Sequence, residues 1–242
     1  SGHTVWTVDA TGGVMNVTGV TSIGGYASIT NTSNVLDFAA CTSLSTVNLS
    51  AIAGGEILLP VATTYTGSSN YNTTIQATGE GSRIDLGSLA TLVGGGTDPD
   101  YPYPWRYVHL KALDGGDLNV GGAISGHTTW TLDGPTSVME ISTVTLFADA
   151  ELTAANGAVW VFPAGWMPVW GIACSLTTDG EGSQFINEGV LSPEGVLVAV
   201  NTSAVTNRGV FAPQNGGTLD FNGSFRVDDP GVLAGATGGL IT

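Results

Sequence analysis

Apolar residues recur along this chain as pairs separated by a single residue, and successive pairs lie about 21 residues apart. In the clearest example, Ile84 and Leu86 flank Asp85, and apolar residues follow at Leu89 and Leu92. An apolar-x-apolar pair is typical of a short β-strand with one buried face. The apolar pairs are Met15/Val17, Leu36/Phe38, Ile57/Leu59, Ile84/Leu86, Leu118/Val120, Met139/Ile141 and Trp160/Phe162. The pattern continues with three pairs whose second residue is polar, Phe185/Asn187, Val205/Asn207 and Val227/Asp229.

A rung of this length, with short strands and turns rich in Gly, Asn and Ser, predicts one architecture. Each rung pairs with the rungs above and below it and buries one face in a shared interior. The sequence therefore predicts an all-β fold, a single-stranded right-handed parallel β-helix (β-solenoid) of about ten rungs of roughly 21 residues. Leucine-rich repeats, the alternative at this period, require a Leu-x-x-Leu-x-Leu-x-x-Asn/Cys pattern, which does not recur here.

A longer repeat is superimposed on the short one. Ser1–Asp9 returns as Ser125–Asp133, and the alignment continues without a gap to Phe38 and Phe162. The offset corresponds to five rungs, with insertions after the third and the fourth. We therefore expect residues 1–242 to form one continuous β-helix with an internal duplication of 1–124 and 125–242.

Two more inward-facing columns are predicted after each pair, at the fifth and eighth positions counted from the first residue of the pair. The fifth position gives Val20, Cys41, Ala62, Leu89, Ala123 and Val144, and the eighth gives Ile23, Leu44, Tyr65, Leu92, Gly126 and Phe147.

The two cysteines are predicted to lie far apart. Cys41 falls on an inward column of the second rung, whereas Cys174 follows the seventh rung. Five rungs at strand spacing separate them by about 24 Å, but the Cα atoms of a disulfide lie within ~7 Å of each other. The sequence therefore predicts two unbridged thiols.

Charge excludes two classes of partner. The net charge is −15 at pH 7, and the chain contains only five Lys and Arg residues. Nucleic acids and anionic membrane surfaces require basic patches, so neither is an expected partner. No apolar run reaches the ~18 residues that a transmembrane helix needs, so membrane insertion is not expected.

Outward-facing carboxylates offer one candidate catalytic site. Asp85, Asn119 and Glu140 occupy the middle position of consecutive pairs. Two strand spacings would put Asp85 and Glu140 about 9–10 Å apart, which is near the upper limit for an inverting glycosidase. The alternative is a polar ladder on a solvated sheet, and a lyase would also need a base that this chain supplies poorly.

Aromatic insertions offer the candidate ligand-binding residues, because loops on a rigid scaffold often carry function. The alternative is that these rings fold down and cover the flank of the rod. Asp98 and Asp100 are also candidate oxygen ligands for Ca²⁺. The candidate ligand-binding residues are Tyr71, Asp98, Asp100, Tyr101, Tyr103, Trp105, Trp166 and Trp170.

The rung Gly81–Leu92, together with the later Phe185–Leu191, resembles repeat regions of large bacterial surface proteins, such as autotransporter passenger domains and giant extracellular repeat proteins. The resemblance implies a secreted or cell-surface protein with an adhesive or scaffolding role, and it supplies no catalytic residue.

Three hypotheses follow from the residues and the resemblance. The first is an extracellular β-helix module that displays aromatic loops for adhesion to a polysaccharide or a surface protein. The second is a polysaccharide-active enzyme, a glycoside hydrolase or lyase, that uses Asp85 and Glu140. The third is a structural stalk or filament subunit that associates end to end through exposed strand edges.

Overall fold

The computed structural model describes residues 3–9, 15–96, 106–171, 174–193, 197–201, 205–213, 215, 218–221, 225–229, 231–234 and 240–242. This part of the chain is all-β and forms a parallel β-solenoid of about 9 turns that are ~22 residues apart. The predicted fold class is confirmed. Within the described residues, no helix is long and apolar enough to span a bilayer.

One sheet, which we call the long sheet, runs along the whole solenoid. It has 11 parallel strands, and inward residues such as Val108, Leu110 and Ala112 alternate with outward residues such as His109 and Lys111. This alternation gives the sheet one apolar and one solvated face. Its strands are Thr4–Val8, Ala27–Thr32, Val47–Ile52, Thr73–Thr78, Val108–Leu113, Thr128–Asp133, Ala150–Ala155, Cys174–Asp179, Leu197–Asn201, Thr218–Phe221 and Leu240–Ile241.

The second face contains the apolar-x-apolar pairs and consists of two sheets. The five-stranded sheet contains Val35–Asp37, Glu56–Leu58, Arg83–Leu86, Asp117–Val120 and Val138–Glu140. The four-stranded sheet contains Val159–Phe162, Gln184–Asn187, Val205–Asn207 and Phe225–Val227.

The third face also consists of two sheets. The seven-stranded sheet contains Ser22–Ile23, Ser43–Ser45, Thr64–Thr66, Thr91–Val93, Gly122–Ser125, Val144–Phe147 and Val169–Trp170. The three-stranded sheet contains Val190–Leu191, Val210–Phe211 and Val232–Leu233.

We call one strand from each face, taken in chain order, a coil, and we number the coils from the N-terminus. Coil 4, for example, contains Thr73–Thr78, Arg83–Leu86 and Thr91–Val93. The coils coincide with the predicted rungs, because Ile84 pairs with Ile57 below it and with Leu118 above it. The register predicted for the second face is therefore confirmed across these coils.

The predicted register of the last rung is wrong by two residues. Val205 pairs with Phe225, and Asn207 pairs with Val227, so the final pair is Phe225/Val227 and not Val227/Asp229. The observed strand, Phe225–Val227, contains two residue types that favour strands, whereas the predicted one would contain Asp228 and Asp229, a residue type that is depleted in strands.

The predicted third-face column is wrong at coil 5. Ile124, and not Gly126, pairs with Leu92 below it and Phe147 above it. The connection from the second face is shorter here because Gly122 turns with a φ of +84°. A Cβ atom at Gly122 would lie 2.5 Å from the main chain of Ala90, so only glycine permits this close approach.

The third-face strand of coil 5 consequently has a different facing from the one predicted. Ala123 was expected to point inward, but it is only partly buried. The shortened connection brings Ala123 into the strand next to the inward Ile124, and neighbouring residues of a strand face opposite sides.

The cysteine prediction is confirmed. Cys41 and Cys174 are both buried, and neither forms a disulfide. Burial raises the pKa of the Cys174 thiol to about 11, because a thiolate is poorly solvated inside an apolar core.

In coils 4, 6 and 8, a serine hydroxyl forms hydrogen bonds at the corner between the long sheet and the second face. Ser82 Oγ donates to the carbonyl of Thr78 at 2.6 Å and accepts the N–H of Gly54, in the preceding coil, at 3.0 Å. The same inter-coil bond joins Gly115 to Ser137 at 2.9 Å and Gly157 to Ser183 at 3.0 Å. Coils 3 and 4, 5 and 6, and 7 and 8 are thereby linked as pairs.

A continuous aromatic cluster fills the interior around coil 7, where the second and third faces each change sheet. Phe162, for example, lies 5.2 Å from Trp166 and 5.7 Å from Phe185 between ring centroids. These rings occupy more volume than the aliphatic side chains of the earlier coils. The cluster contains Trp130, Phe147, Trp160, Phe162, Trp166, Trp170 and Phe185.

Candidate functional site

The predicted ladder of outward polar residues is present. Asp85 pairs with Asn119, and Asn119 pairs with Glu140, on three consecutive strands of the second face. Asn119 Nδ2 donates to Asp85 Oδ1 at 2.9 Å. The two candidate catalytic carboxylates are therefore separated by a strand whose amide already binds one of them.

Both oxygens of the Asp85 carboxylate have partners in the protein. Oδ2 contacts Arg83 Nη2 at 3.0 Å, and Oδ1 also accepts the N–H of Gly87 at 3.0 Å. Glu140 likewise accepts the N–H of Ser142 at 3.0 Å. These bonds tie the side chains to the corner that follows each strand, which is a structural role.

Asp117 and Arg83 belong to the same surface and were missed by the sequence analysis. They are cross-strand neighbours, and Arg83 Nε lies 3.7 Å from Asp117 Oδ2. Partial burial raises the pKa of the Asp117 carboxyl, Arg83 opposes this shift, and the charges of Asp85 and Glu140 add to it. A search of the residue before each apolar pair would have found this column.

An aromatic group lies where the third face turns into the long sheet, at the N-terminal end of the solenoid. The rings of Tyr26 and Tyr71 are 4.5 Å apart, and those of Tyr26 and His3 are 4.7 Å apart. Tyr71 is 52 % exposed. The group thus presents ring surface to solvent, and it includes one of the predicted ligand-binding residues.

A second aromatic group lies on the same corner in coils 5 and 6. Tyr107 is stacked on His109, with ring centroids 5.9 Å apart, and lies 5.8 Å from His127. His109 Nδ1 hydrogen-bonds to Thr129 Oγ1 at 2.7 Å. Burial lowers the pKa of His109, and the neighbouring Lys111 lowers it further, so the neutral ring is favoured.

The two insertions that the sequence analysis singled out begin side by side on this corner. The N–H of Gly96 donates to the carbonyl of Ser68 at 3.5 Å, and the N–H of Tyr107 donates to Asn72 Oδ1 at 3.0 Å. The 67–72 loop and the later insertion are therefore adjacent at their bases. We call His3, Tyr26, Tyr71, Tyr107, His109 and His127 the aromatic corner.

Most of the later insertion lies outside the described residues. Of the predicted ligand-binding residues, this applies to Asp98, Asp100, Tyr101, Tyr103 and Trp105. Their predicted roles in ligand and Ca²⁺ binding stay predictions. Among the residues that the structure does describe, no group of three or more His, Cys, Asp or Glu side chains is placed to hold a metal ion.

Trp166 and Trp170 do not form a displayed loop, which corrects the first interpretation of this insertion. They are 6 % and 2 % exposed, respectively, and belong to the aromatic cluster of the core. Trp166 Nε1 donates to the carbonyl of Val144 at 2.9 Å. Both rings lie inside the core, whereas the alternative interpretation had them cover the flank of the rod; burial of their large apolar area stabilises the fold.

The fold and the aromatic corner together define a β-solenoid scaffold that presents rings along one edge. The structure is consistent with a β-helix repeat region. Comparisons with protein-family models, curated proteins and solved structures find no match to this chain.

Proposed function

We propose that this chain is an extracellular β-helix module, secreted or at the cell surface, whose aromatic corner adheres to a polysaccharide. The observation that carries the proposal is the half-exposed ring of Tyr71, held 4.5 Å from Tyr26 beside the bases of two insertions. Rings fixed on a rigid scaffold offer flat apolar surface at low entropic cost. The hydroxyl and imidazole groups around them can hydrogen-bond to sugar hydroxyls.

The charge of the chain narrows the class of polysaccharide. At a net charge of −15, the protein repels sulfated or uronate-rich polymers at low ionic strength. A neutral glycan is therefore the favoured ligand. A surface protein is the alternative partner, since exposed tyrosines are also enriched in protein interfaces.

The contacts of the carboxylate ladder support a scaffold more than a polysaccharide-active enzyme. A catalytic carboxylate pair needs one group that activates water and one that donates a proton. Asp85 instead accepts hydrogen bonds from Arg83, Gly87 and Asn119. End-to-end association of solenoids, the basis of the stalk hypothesis, stays a prediction.

The experiment is a binding assay against arrayed neutral and anionic glycans with the wild type and with Tyr71→Ala. We expect saturable binding to neutral glycans and at least a tenfold loss in the variant, equivalent to about 1.4 kcal/mol. Val169→Ala, at an exposed position far along the third face, is the matched control and should bind like the wild type. Equal losses in both variants, or wild-type binding confined to anionic polymers, would contradict the proposal.

A further inference from the structure

The second face opens between coils 6 and 7. These coils are hydrogen-bonded to each other on the long sheet and on the third face. On the second face, within the described residues, Val138–Glu140 and Val159–Phe162 are the edges of separate sheets. A groove of about 240 Å³ lies between the two edges.

The aromatic cluster accounts for this opening. Coil 6 places Met139 and Ile141 inside, whereas coil 7 places Trp160 and Phe162 at the equivalent positions. The ring of Trp160 is stacked on Phe185 of coil 8, with ring centroids 5.7 Å apart. The larger rings hold the coil 7 strand away from coil 6, so the gap is set by core volume.

The coil 6 wall of the groove is an unpaired strand edge. The N–H of Val138 donates to the carbonyl of Gly116 in coil 5. Main-chain groups of successive residues in a strand point to opposite sides. The N–H and C=O of Met139 therefore point away from coil 5 and into the groove.

The coil 7 wall is an edge of the same kind. The carbonyls of Ala158 and Phe162 accept N–H groups from coil 8. By the same alternation, the N–H and C=O of Val159 and Val161 point into the groove. Each wall thus offers unpaired main-chain donors and acceptors, which is the recognition pattern for an added β-strand.

Side chains lining the groove indicate the chemistry of its occupant. Trp160 is 1 % exposed, and its Nε1 donor has no hydrogen-bond partner among the described residues. A buried donor of this kind calls for an acceptor, such as a peptide carbonyl. Val138, Val159 and Val161 form an apolar rim, and Glu140 is the one charged residue among the described residues that line the groove.

We infer that this groove binds an extended peptide segment of a partner protein, which enters as a β-strand between coils 6 and 7. The main chain of the peptide pairs with Met139 on one side and with Val159 and Val161 on the other. Its apolar side chains lie against the valine rim, and a Lys or Arg side chain pairs with Glu140. This site is on a different face from the aromatic corner and does not depend on the function proposed for that corner.

The probe is the capped peptide Lys-Thr-Val-Thr-Val-Thr-Lys, compared with a twin that is N-methylated at alternate amides. Calorimetric titration of the wild type should show saturable binding of the first peptide and at least a tenfold weaker binding of the twin. In ¹⁵N-labelled protein, the indole N–H resonance of Trp160, assigned with Trp160→Phe, should move downfield as it gains an acceptor.

Two variants at one position test the main-chain contact. Val161→Pro removes a main-chain N–H that makes no hydrogen bond to coil 8, and it does so at a strand edge, where proline is tolerated. This variant should lose peptide binding, whereas its melting temperature should change little. Val161→Thr keeps the N–H and should bind within about threefold of the wild type.

Three results with the peptides would overturn the inference. They are the absence of saturable binding at millimolar peptide, equal binding of the N-methylated twin, and unchanged binding by a folded Val161→Pro protein. A shift of the Trp160 indole resonance by neutral oligosaccharides, with no shift by either peptide, would also overturn it and would identify a sugar groove.

Discussion

The N–H of Gly54 donates to Ser82 Oγ across 3.0 Å, although the two residues lie 28 positions apart in the chain. The same hydroxyl donates to the carbonyl of Thr78 at 2.6 Å. One buried serine therefore satisfies an amide in coil 3 and a carbonyl in coil 4. Equivalent bonds recur at Ser137 and Ser183, so the same serine bridge joins alternate pairs of coils.

Ser82→Ala should destabilise the protein by about 1–3 kcal/mol, since it leaves the Gly54 amide without its partner and removes one of the hydrogen bonds that the Thr78 carbonyl accepts. Urea unfolding followed by circular dichroism measures the change. Ser88→Ala, at an exposed position six residues further on, is the control and should change stability by less than ~0.5 kcal/mol. Equal effects of the two substitutions would argue against the corner role of Ser82.

Trp170→Ala should cost about 3–5 kcal/mol, because it leaves a large cavity in the aromatic cluster. The ring of Trp170 lies 5.5 Å from Phe147 and is almost fully buried. Its neighbour Val169 is exposed, so Val169→Ala provides a control on the same strand. A Trp170→Ala protein that unfolds at the wild-type denaturant concentration would show that this ring does not support the core.

Stability should fall as the pH rises above about 9. Burial raises the pKa of Cys174 from 9.0 to about 11 and that of Tyr65 from 10.0 to about 12. A group whose folded pKa is raised contributes its full stability below its unfolded pKa, and this contribution is lost as the pH rises to the folded value. Cys174 alone should account for roughly 2–3 kcal/mol between pH 9 and 11.

Melting temperatures of the wild type and of Cys174→Ala, measured from pH 7 to 11, test this dependence. The variant should start from a lower stability at pH 7, because it lacks a buried side chain, but its alkaline decline should be shallower. Tyr65→Phe should likewise flatten the decline above pH 10. Parallel curves for all three proteins would mean that neither group drives the alkaline loss.

The wild type should release no reducing sugar and no unsaturated uronate from a broad panel of polysaccharides. Asp85 is held by Arg83 and Asn119 and is not placed as a free base. If a product does form, the same assay with Asp85→Asn and Glu140→Gln tests whether these two carboxylates are responsible for it. Loss of that product in both folded variants would establish the enzyme hypothesis and refute ours on this point.

Much of the fold could be predicted because inward positions repeat in register. Ile84 aligns with Ile57 and Leu118 as expected, since a slip by one residue would turn apolar side chains to solvent. The prediction failed where apolar content does not discriminate between registers. In the last coil, Val227 belongs both to the predicted pair Val227/Asp229 and to the observed pair Phe225/Val227. In coil 5, the tight turn at Gly122 shortens the connection between the second and third faces.

The site was less predictable than the fold. Tyr71 was found because it interrupts a regular rung, but Tyr26 and His3 are ordinary in sequence and become its neighbours only through the coiling of the chain. For Trp166 and Trp170, composition cannot distinguish a ring that is displayed from a ring that fills the core. The deciding quantity is the interior volume that the rings must fill, and residues from three coils determine that volume.

The change of sheets around coil 7 has a consequence for how the protein unfolds. In a solenoid, stability is a sum of coil terms and of couplings between nearest neighbours. Between coils 6 and 7 the second face contributes no ladder within the described residues. The coupling there depends on the long sheet, the third face and the contacts of Phe147 with Trp166 and Trp170. This junction is where the domain should first separate into two cooperative blocks under force or denaturant.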